Sequence, residues 1–317
     1  MKCLNFLVGT LAGRALLALA ALLALGGVLA PQTLSWSVFA GTVPFVAVLG
    51  LAAIGQHAVV QQRGFDLSVA GTMSFAAVVA TAPWVSNQSD VSPLLCAAMA
   101  IAAGALAGLV NGLVITRAGV TPLVSTIGIN AVMLGFTLFA SKGVPGTAPD
   151  GLIAFAKIGV AGVPLVALIL LLVTATSALA LSRTAVGYRF IAAGVSPAAA
   201  EALGIPVRRL NVATYVVAGA FFSVAGVLLA GVLATPNVFS GAPYMLTTIA
   251  AVVVGGSPLN GDRGSVVATV LGAVFLTYLD QLVLSLGFEA SVQSLVQAFI
   301  ILAGVGLPRV FAKFRSA

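Results

Sequence analysis

Long apolar runs alternate with short polar interruptions along nearly the whole chain. A helix that crosses the hydrocarbon core of a bilayer needs about 20 mainly apolar residues. Reading for such runs gives ten candidates, at roughly 14–33, 41–60, 66–85, 93–115, 121–141, 162–182, 210–234, 243–257, 265–287 and 291–308. The third and eighth are short, or interrupted by polar and glycine residues. One interruption is unlike the rest. Between the sixth and seventh runs, 183–209 holds a segment that reads as a helix in water: Ser196 at an N-cap, Pro197 at the first helical position, the helix formers Ala198 to Leu203, Gly204 at the C-terminal stop and Pro206 behind it. Two turns are too few to be stable alone in water, so this element needs its flanks or a partner.

Composition closes off the soluble alternatives. Of 317 residues, 61% are hydrophobic and 7% charged, against about 25% charged in ordinary soluble domains. The chain therefore reads as one all-α, polytopic membrane domain over 1–317, with about ten transmembrane helices and a short cytoplasmic helix. The 35 glycines and many alanines, serines and threonines suit a tightly packed bundle, because lipid supplies no hydrophobic drive for helix association.

Charge orients the bundle. The net charge of +7 comes from short basic clusters between spans, which sets topology and does not point to nucleic acid. Lys2 and Arg14 favour a cytoplasmic start. Ten crossings return the C-terminus, with Arg309, Lys313 and Arg315, to the same side. Arg63, Arg117, Arg183, Arg189, Arg208 and Arg209 also fall inside, while Lys142 and Lys157, beside Asp150, fall outside. The basic start and apolar run to Ala30 also resemble a signal peptide, but the run is long enough to span and is read as an uncleaved first helix.

Few residues offer chemistry. Asp66, in Gly64-Phe65-Asp66-Leu67-Ser68, sits near a cytoplasmic span end, where a carboxylate costs less than at a bilayer centre. It reads as a cap on a broken or re-entrant helix, with a solute or gating role as the alternative. The glycines Gly255, Gly256, Gly261 and Gly264 form a loop suited to close packing on another chain; no Gly-x-x-x-x-Gly-Lys-(Ser/Thr) pattern exists, so a phosphate loop is excluded. Inside the spans lie Gln56, His57, Asn111, Asn130, Asp280, Gln293 and Gln297, which read as interhelical glue, with Asp280 facing a polar path or a partner. One histidine and two separated cysteines, Cys3 and Cys96, offer neither a metal site nor a nucleophile–base pair. No catalytic residue is expected.

Four stretches, in order, carry a family resemblance: Gly64 to Val69; Asn111-Gly112 with Thr121 to Gly128 (Thr126 included) and Gly135; Gly194-x-Ser196-Pro197-x-Ala199-Ala200-x-x-x-Gly204-Ile205 with Tyr215 and Gly219; and Ile249 to Ser265. Together they resemble the ABC-importer permeases of the ribose/xylose/arabinose/galactose group. The resemblance implies a permease that forms the path for a sugar or related polyol in a bacterial cytoplasmic (inner) membrane, with both termini cytoplasmic. It also implies a second permease copy or paralogue, a periplasmic or extracellular solute-binding protein, and a cytoplasmic ATPase that uses ATP and Mg; this chain itself needs no cofactor. The helix near Ser196 to Gly204 would seat in the ATPase, with Glu201 and Arg208 as polar contacts. One departure stands out: where the family has a glycine before Gly64, this chain has Arg63. The competing class, an ion-coupled secondary transporter of a small polar solute, would carry coupling-ion residues in mid-span, for which Asp280 alone is a candidate.

Overall fold

The computed structural model describes residues 9–81, 92–160, 162–261, 264–289, 291–300 and 302. The chain is all-α apart from one two-residue-per-strand hairpin among these residues. In order, the helices are α1 (Leu11–Leu29), a 3-10 turn (Pro31–Leu34), α2 (Trp36–Gln61), α3 (Val69–Thr81), α4 (Pro93–Arg117), α5 (Pro122–Ser141) and α6 (Asp150–Lys157). The hairpin β1 (Gly159–Val160) and β2 (Val163–Pro164) follows, then α7 (Leu165–Arg183), α8 (Ala185–Val195), α9 (Pro197–Ala202), α10 (Val207–Leu233), α11 (Tyr244–Val254), α12 (Val266–Ser285) and α13 (Ser291–Ile300). Seven helices (α1, α2, α4, α5, α7, α10 and α12) are long and apolar enough to cross a membrane; α3, α8, α11 and α13 are shorter apolar helices. The chain is a multi-pass membrane protein.

The third, eighth and tenth apolar runs give shorter helices among the described residues, and residues 82–85 of the third run lie outside them. α3 has 13 residues and starts at Val69, so Asp66 and Ser68 precede the helix; α11 has 11 and stops at Val254. Both are buried along most of their length. The expected sixth span begins later than read, at Leu165, because α6 and the hairpin occupy the connection before it. Lys2, Cys3, Arg309, Lys313, Arg315 and the last residues of the tenth run lie outside the described residues.

α2 and α10 form the centre. Their contact, joined by α3 and α4, builds the main core around Leu51, Met73, Phe222 and Leu229. A second core joins α1, α11 and α12 through Leu22, Leu276 and Leu279. α4 and α10 pack at backbone distance. Gly104, Gly108 and Gly112, four residues apart, face Tyr215, Gly219 and Ser223, also four apart. A Cβ on Gly104 would stand 2.5 Å from the Gly219 carbonyl oxygen, and one on Gly112 2.8 Å from Val212 Cα. This is how membrane helices associate: small residues let backbones touch where lipid offers no hydrophobic reward.

Candidate functional site

Three of the sequence motifs meet at one end of the bundle. α2 ends at Gln61, and its next residue, Gln62, donates from Nε2 to the Phe190 carbonyl in α8 (2.7 Å). Arg63 follows with φ +63°, the left-handed conformation in which a glycine is unstrained. Its side chain explains the departure. Arg63 Nε donates to the Gly194 carbonyl (2.9 Å) and a terminal nitrogen donates to the Val195 carbonyl (2.5 Å). These are the last carbonyls of α8, which have no partner within the helix, so the guanidinium caps α8 from another element. Gly261 of the glycine loop closes the cluster: its Cβ position would overlap Arg63 Cγ and stand 2.7 Å from the Gly194 carbonyl oxygen.

α9 follows directly from that capped end. Ser196 holds the N-cap position, but its side chain makes no capping bond; its carbonyl accepts from Ala200 N (2.9 Å), and Pro197 starts the helix. The expected serine hydroxyl cap is therefore replaced by backbone alone. The C-terminal end matches the Schellman pattern: Ile205 N donates to Ala200 O (3.0 Å) and Gly204 N to Glu201 O (2.9 Å), with Gly204 at φ +77°. Ile205 packs with Ala193, Ala200 and Val207, anchoring the inner face of the element. Ala199, Glu201, Gly204 and Arg208 lie on its exposed side, beside Leu203 at 80% and Tyr188 at 60% exposure. A groove of about 570 Å³ runs between α8 and α9, lined by Tyr188, Ile191, Val195, Ala199 and Leu203.

The segment after Arg63 is tied inward. Gly64 is held against the Tyr215 hydroxyl, which occupies the space a side chain would need. Asp66, fully buried, accepts at Oδ1 from Ser68 N (2.9 Å) and from the Ser68 hydroxyl. It thus braces the turn before α3, two residues ahead of the cap position expected for it. The Gln56 amide, with its nitrogen turned to the Asp66 carbonyl (3.0 Å), also accepts from Asp66 N (3.3 Å). Asn111 in α4 donates to Ser68 Oγ (3.2 Å) and accepts from Ser125 Oγ in α5 (2.9 Å). Asn130 in α5 accepts from Gly71 N in the first turn of α3 (2.7 Å), satisfying one of the free N–H groups there. Thr126 is buried but bonds back to the Pro122 carbonyl of its own helix.

The rest of the glycine loop packs on its own chain. A Cβ on Gly255 would stand 2.5 Å from the Ala268 carbonyl oxygen, and one on Gly264 2.7 Å from His57 Cε1. Gly256 sits at φ +76°. His57 is buried, with Nδ1 2.9 Å from Thr269 Oγ1. No group of three metal-ligating side chains occurs among the described residues.

Asp280 lies apart from all of these, near the other end of α12. Gln297 Nε2 donates to its Oδ1 (2.7 Å), and Thr247 Oγ1 donates to Gln297 Oε1 (3.3 Å). These groups border a cavity of about 730 Å³ between α2, α10, α11, α12 and α13. Sequence reading named Asp280, Gln293 and Gln297 but not the cavity that they line, since five elements contribute to it.

Comparison with known proteins follows the same lines. A family model described as "Branched-chain amino acid transport system / permease component" matches residues 38–305. The chain is 33% identical over 291 residues to a probable ABC transporter permease protein, y4mJ, of Sinorhizobium fredii, covering 91% of this chain and 86% of that protein. It is 32% identical to the ribose import permease protein RbsC of Bacillus subtilis, covering 83% and 82%. It is 30% identical to the autoinducer 2 import system permease protein LsrD of Escherichia coli, covering 92% and 91%. No solved structure matches the chain.

Proposed function

Because the chain belongs to the branched-chain amino acid transport system / permease component family, we propose that the solute it passes is a sugar or related polyol and that α9 is where a separate ATPase drives it. The chain is a membrane-spanning permease subunit of an ABC importer, and its relatives are transport permeases. The choice of a sugar rests on the ribose import relatives and on the motifs shared with that branch. In this reading the chain makes and breaks no covalent bond. ATP and Mg are used by the partner, a solute-binding protein delivers the cargo outside, and two copies form the path in a bacterial inner membrane with both termini cytoplasmic.

The observation that carries the ATPase contact is the construction of α9. A six-residue helix is held rigid by its Schellman stop and by Arg63, while Leu203 and Glu201 remain exposed. Tyr188, Val195 and Leu203 are exposed together around the groove, and an apolar patch of this kind supports a protein interface. A push on α9 passes through Gly194 and Arg63 to the turn that carries Asp66 and Ser68, and from there to Asn111 and Ser125. Gly194, Ser196, Pro197, Ala199, Glu201, Gly204, Ile205 and Arg208 are assigned to this contact. Gly261 backs it at Arg63 and Gly194, while Gly255, Gly256 and Gly264 belong to the same loop and hold it on its own chain. Gly64, Asp66, Ser68, Asn111, Thr126 and Asn130 belong to the break that moves.

The test is co-purification of the tagged chain from gently solubilised membranes, with mass spectrometry of its companions. A stoichiometric subunit with a Walker A motif is expected, and it should be lost from a variant carrying Glu201→Lys and Gly204→Val. A chain that purifies alone and still drives uptake without ATP would refute the reading.

A further inference from the structure

The cavity beside Asp280 has no part in the contact assigned to α9. Its walls are the start of α2, the end of α10 with the turns after it, the start of α11, the end of α12, and α13. Each is the end of its helix remote from Arg63 and α9, so the cavity opens at the opposite end of the bundle. At about 730 Å³ it falls within the usual range for small-molecule sites, roughly 300–1,000 Å³.

Its chemistry is selective. The chain has seven acidic residues, and one of them, Asp280, is spent on this wall. Gln297 and Gln293 both hydrogen-bond its carboxyl, which fixes the group in place. Gln281 and Thr277 add further donors and acceptors, and Phe45, Phe239 and Tyr244 supply ring faces. No Lys, Arg or His is among the described residues that line it. The backbone donors nearby are already used: Tyr244 N bonds Gly241 O, Met245 N bonds Ala242 O, and Phe239 N bonds Asn237 Oδ1. An anion, or the carboxylate of an amino acid, would meet Asp280 with no counter-charge and no free amide nest. A neutral molecule with several hydroxyls meets none of these penalties. Its hydroxyls can donate to the Asp280 carboxylate and exchange bonds with the amides, while its C–H face lies on a ring. Buried polar groups of this kind discriminate by what they leave unpaired.

We infer that this cavity is a solute subsite within each permease copy, built for a neutral polyhydroxylated molecule of sugar size and against amino acids and anions. The inference rests on the importer reading above and adds to it a place where the permease itself selects.

Saturation-transfer NMR on the full chain in lipid nanodiscs, with its ATPase and without the binding protein, tests it. The probes are D-ribose, D-xylose and D-galactose, with L-leucine and choline as contrasts. Two variants remove the site in different ways. Asp280→Asn keeps the shape and loses the charge. Gly41→Phe fills the cavity from a position where nothing stands within 4 Å of the new Cβ, so it need not disturb the fold. At least one sugar should give saturation transfer, reduced fivefold or more in both variants, while leucine and choline give none. Absence of sugar signal in the native chain, or signal unchanged in both variants, overturns the inference. So does a choline signal lost in Asp280→Asn, which would make this a cation-binding site, or displacement of sugar by leucine. ATP-driven uptake and recovery of the ATPase, measured on the same preparation, report on the importer reading separately.

Discussion

Replacing Arg63 separates two effects that coincide at one residue. The native side chain holds two carbonyls of α8 from a backbone at φ +63°. A non-glycine residue pays roughly 1–2 kcal/mol for that conformation. Hydrogen bonds from a charged donor contribute about 1.5–3 kcal/mol when buried; Arg63 is exposed, and solvent screening lowers this to about 0.5–1 kcal/mol for each bond. Arg63→Ala loses both bonds and keeps the strain, a net loss of about 1–2 kcal/mol. Arg63→Gly loses both bonds but relieves the strain, and should come within about 1 kcal/mol of the native chain. Alanine should therefore be the less stable of the two by about 1 kcal/mol, a factor of roughly five in the folded ratio. Function should sort differently. In proteoliposomes containing the ATPase and binding protein, both variants should hydrolyse ATP near the native rate while uptake per ATP falls several-fold, because both leave Gln62 as the one side-chain bond from this turn to α8. Arg63→Lys, with a point charge and no fork, should be intermediate. Native uptake in Arg63→Gly, or equal stability of the alanine and glycine variants, would refute this account.

Other substitutions probe the remaining links. Gly204→Ala forces a side chain into φ +77° at the end of α9 and should cost roughly 1–2 kcal/mol, read as weaker recovery of the ATPase with little change in the thermal midpoint of the bundle. Asn111→Ala removes the link between Ser68 and Ser125, leaves two buried hydroxyls short of a partner, and should lower stability by about 1–3 kcal/mol in thermal unfolding in detergent. Gly108→Ala drives a methyl into the Tyr215 carbonyl and should cost about 1–3 kcal/mol or more, seen as loss of monodisperse protein, whereas Gly128→Ala, with open space around it, should leave the yield unchanged.

Much of the fold is written in local pattern. Of the ten runs read by length, seven are helices long enough to cross a membrane among the described residues, and α9 follows from Pro197, Gly204 and Pro206, since caps and stops act within a few residues. The third and eighth runs are visibly weak in sequence, and they are α3 and α11. What stays hidden is whatever depends on distant partners. Nothing near Arg63 in sequence tells that its guanidinium reaches residues 194 and 195; the one hint is that the family resemblance expects a glycine there. Asn130 looks like any polar residue in a span, and only the position of α3 makes it a cap for Gly71. Ser196 has the right residue type for a side-chain cap and makes none, because residue type sets a preference and the neighbouring backbone decides the outcome.

The two short helices are built into a bundle whose centre is packed at backbone distance. Around α3 stand α4, α5 and α10; around α11 stand α12 and α2, with α13 reaching it through Gln297. An amide from a following helix addresses the first turn in each case: Asn130 bonds Gly71 in α3, and Gln297 bonds Thr247 in α11. The two bonds differ in kind: the first satisfies a backbone N–H at the start of α3, and the second joins two side chains beside the Asp280 cavity, at the opposite end of the molecule. The glycine contact between α4 and α10 cannot yield without backbone collision, so it transmits displacement and does not absorb it. The turn before α3 is tied to that centre by Gln56, Asn111 and the Tyr215 hydroxyl against Gly64, and the bend before α11 by Gly241 N, which donates to Ser74 Oγ (3.0 Å). In the proposed importer, displacement at α9 reaches the turn before α3 first, through Gly194 and Arg63, while the Asp280 cavity lies at the other end of the bundle, an arrangement that suits alternating access.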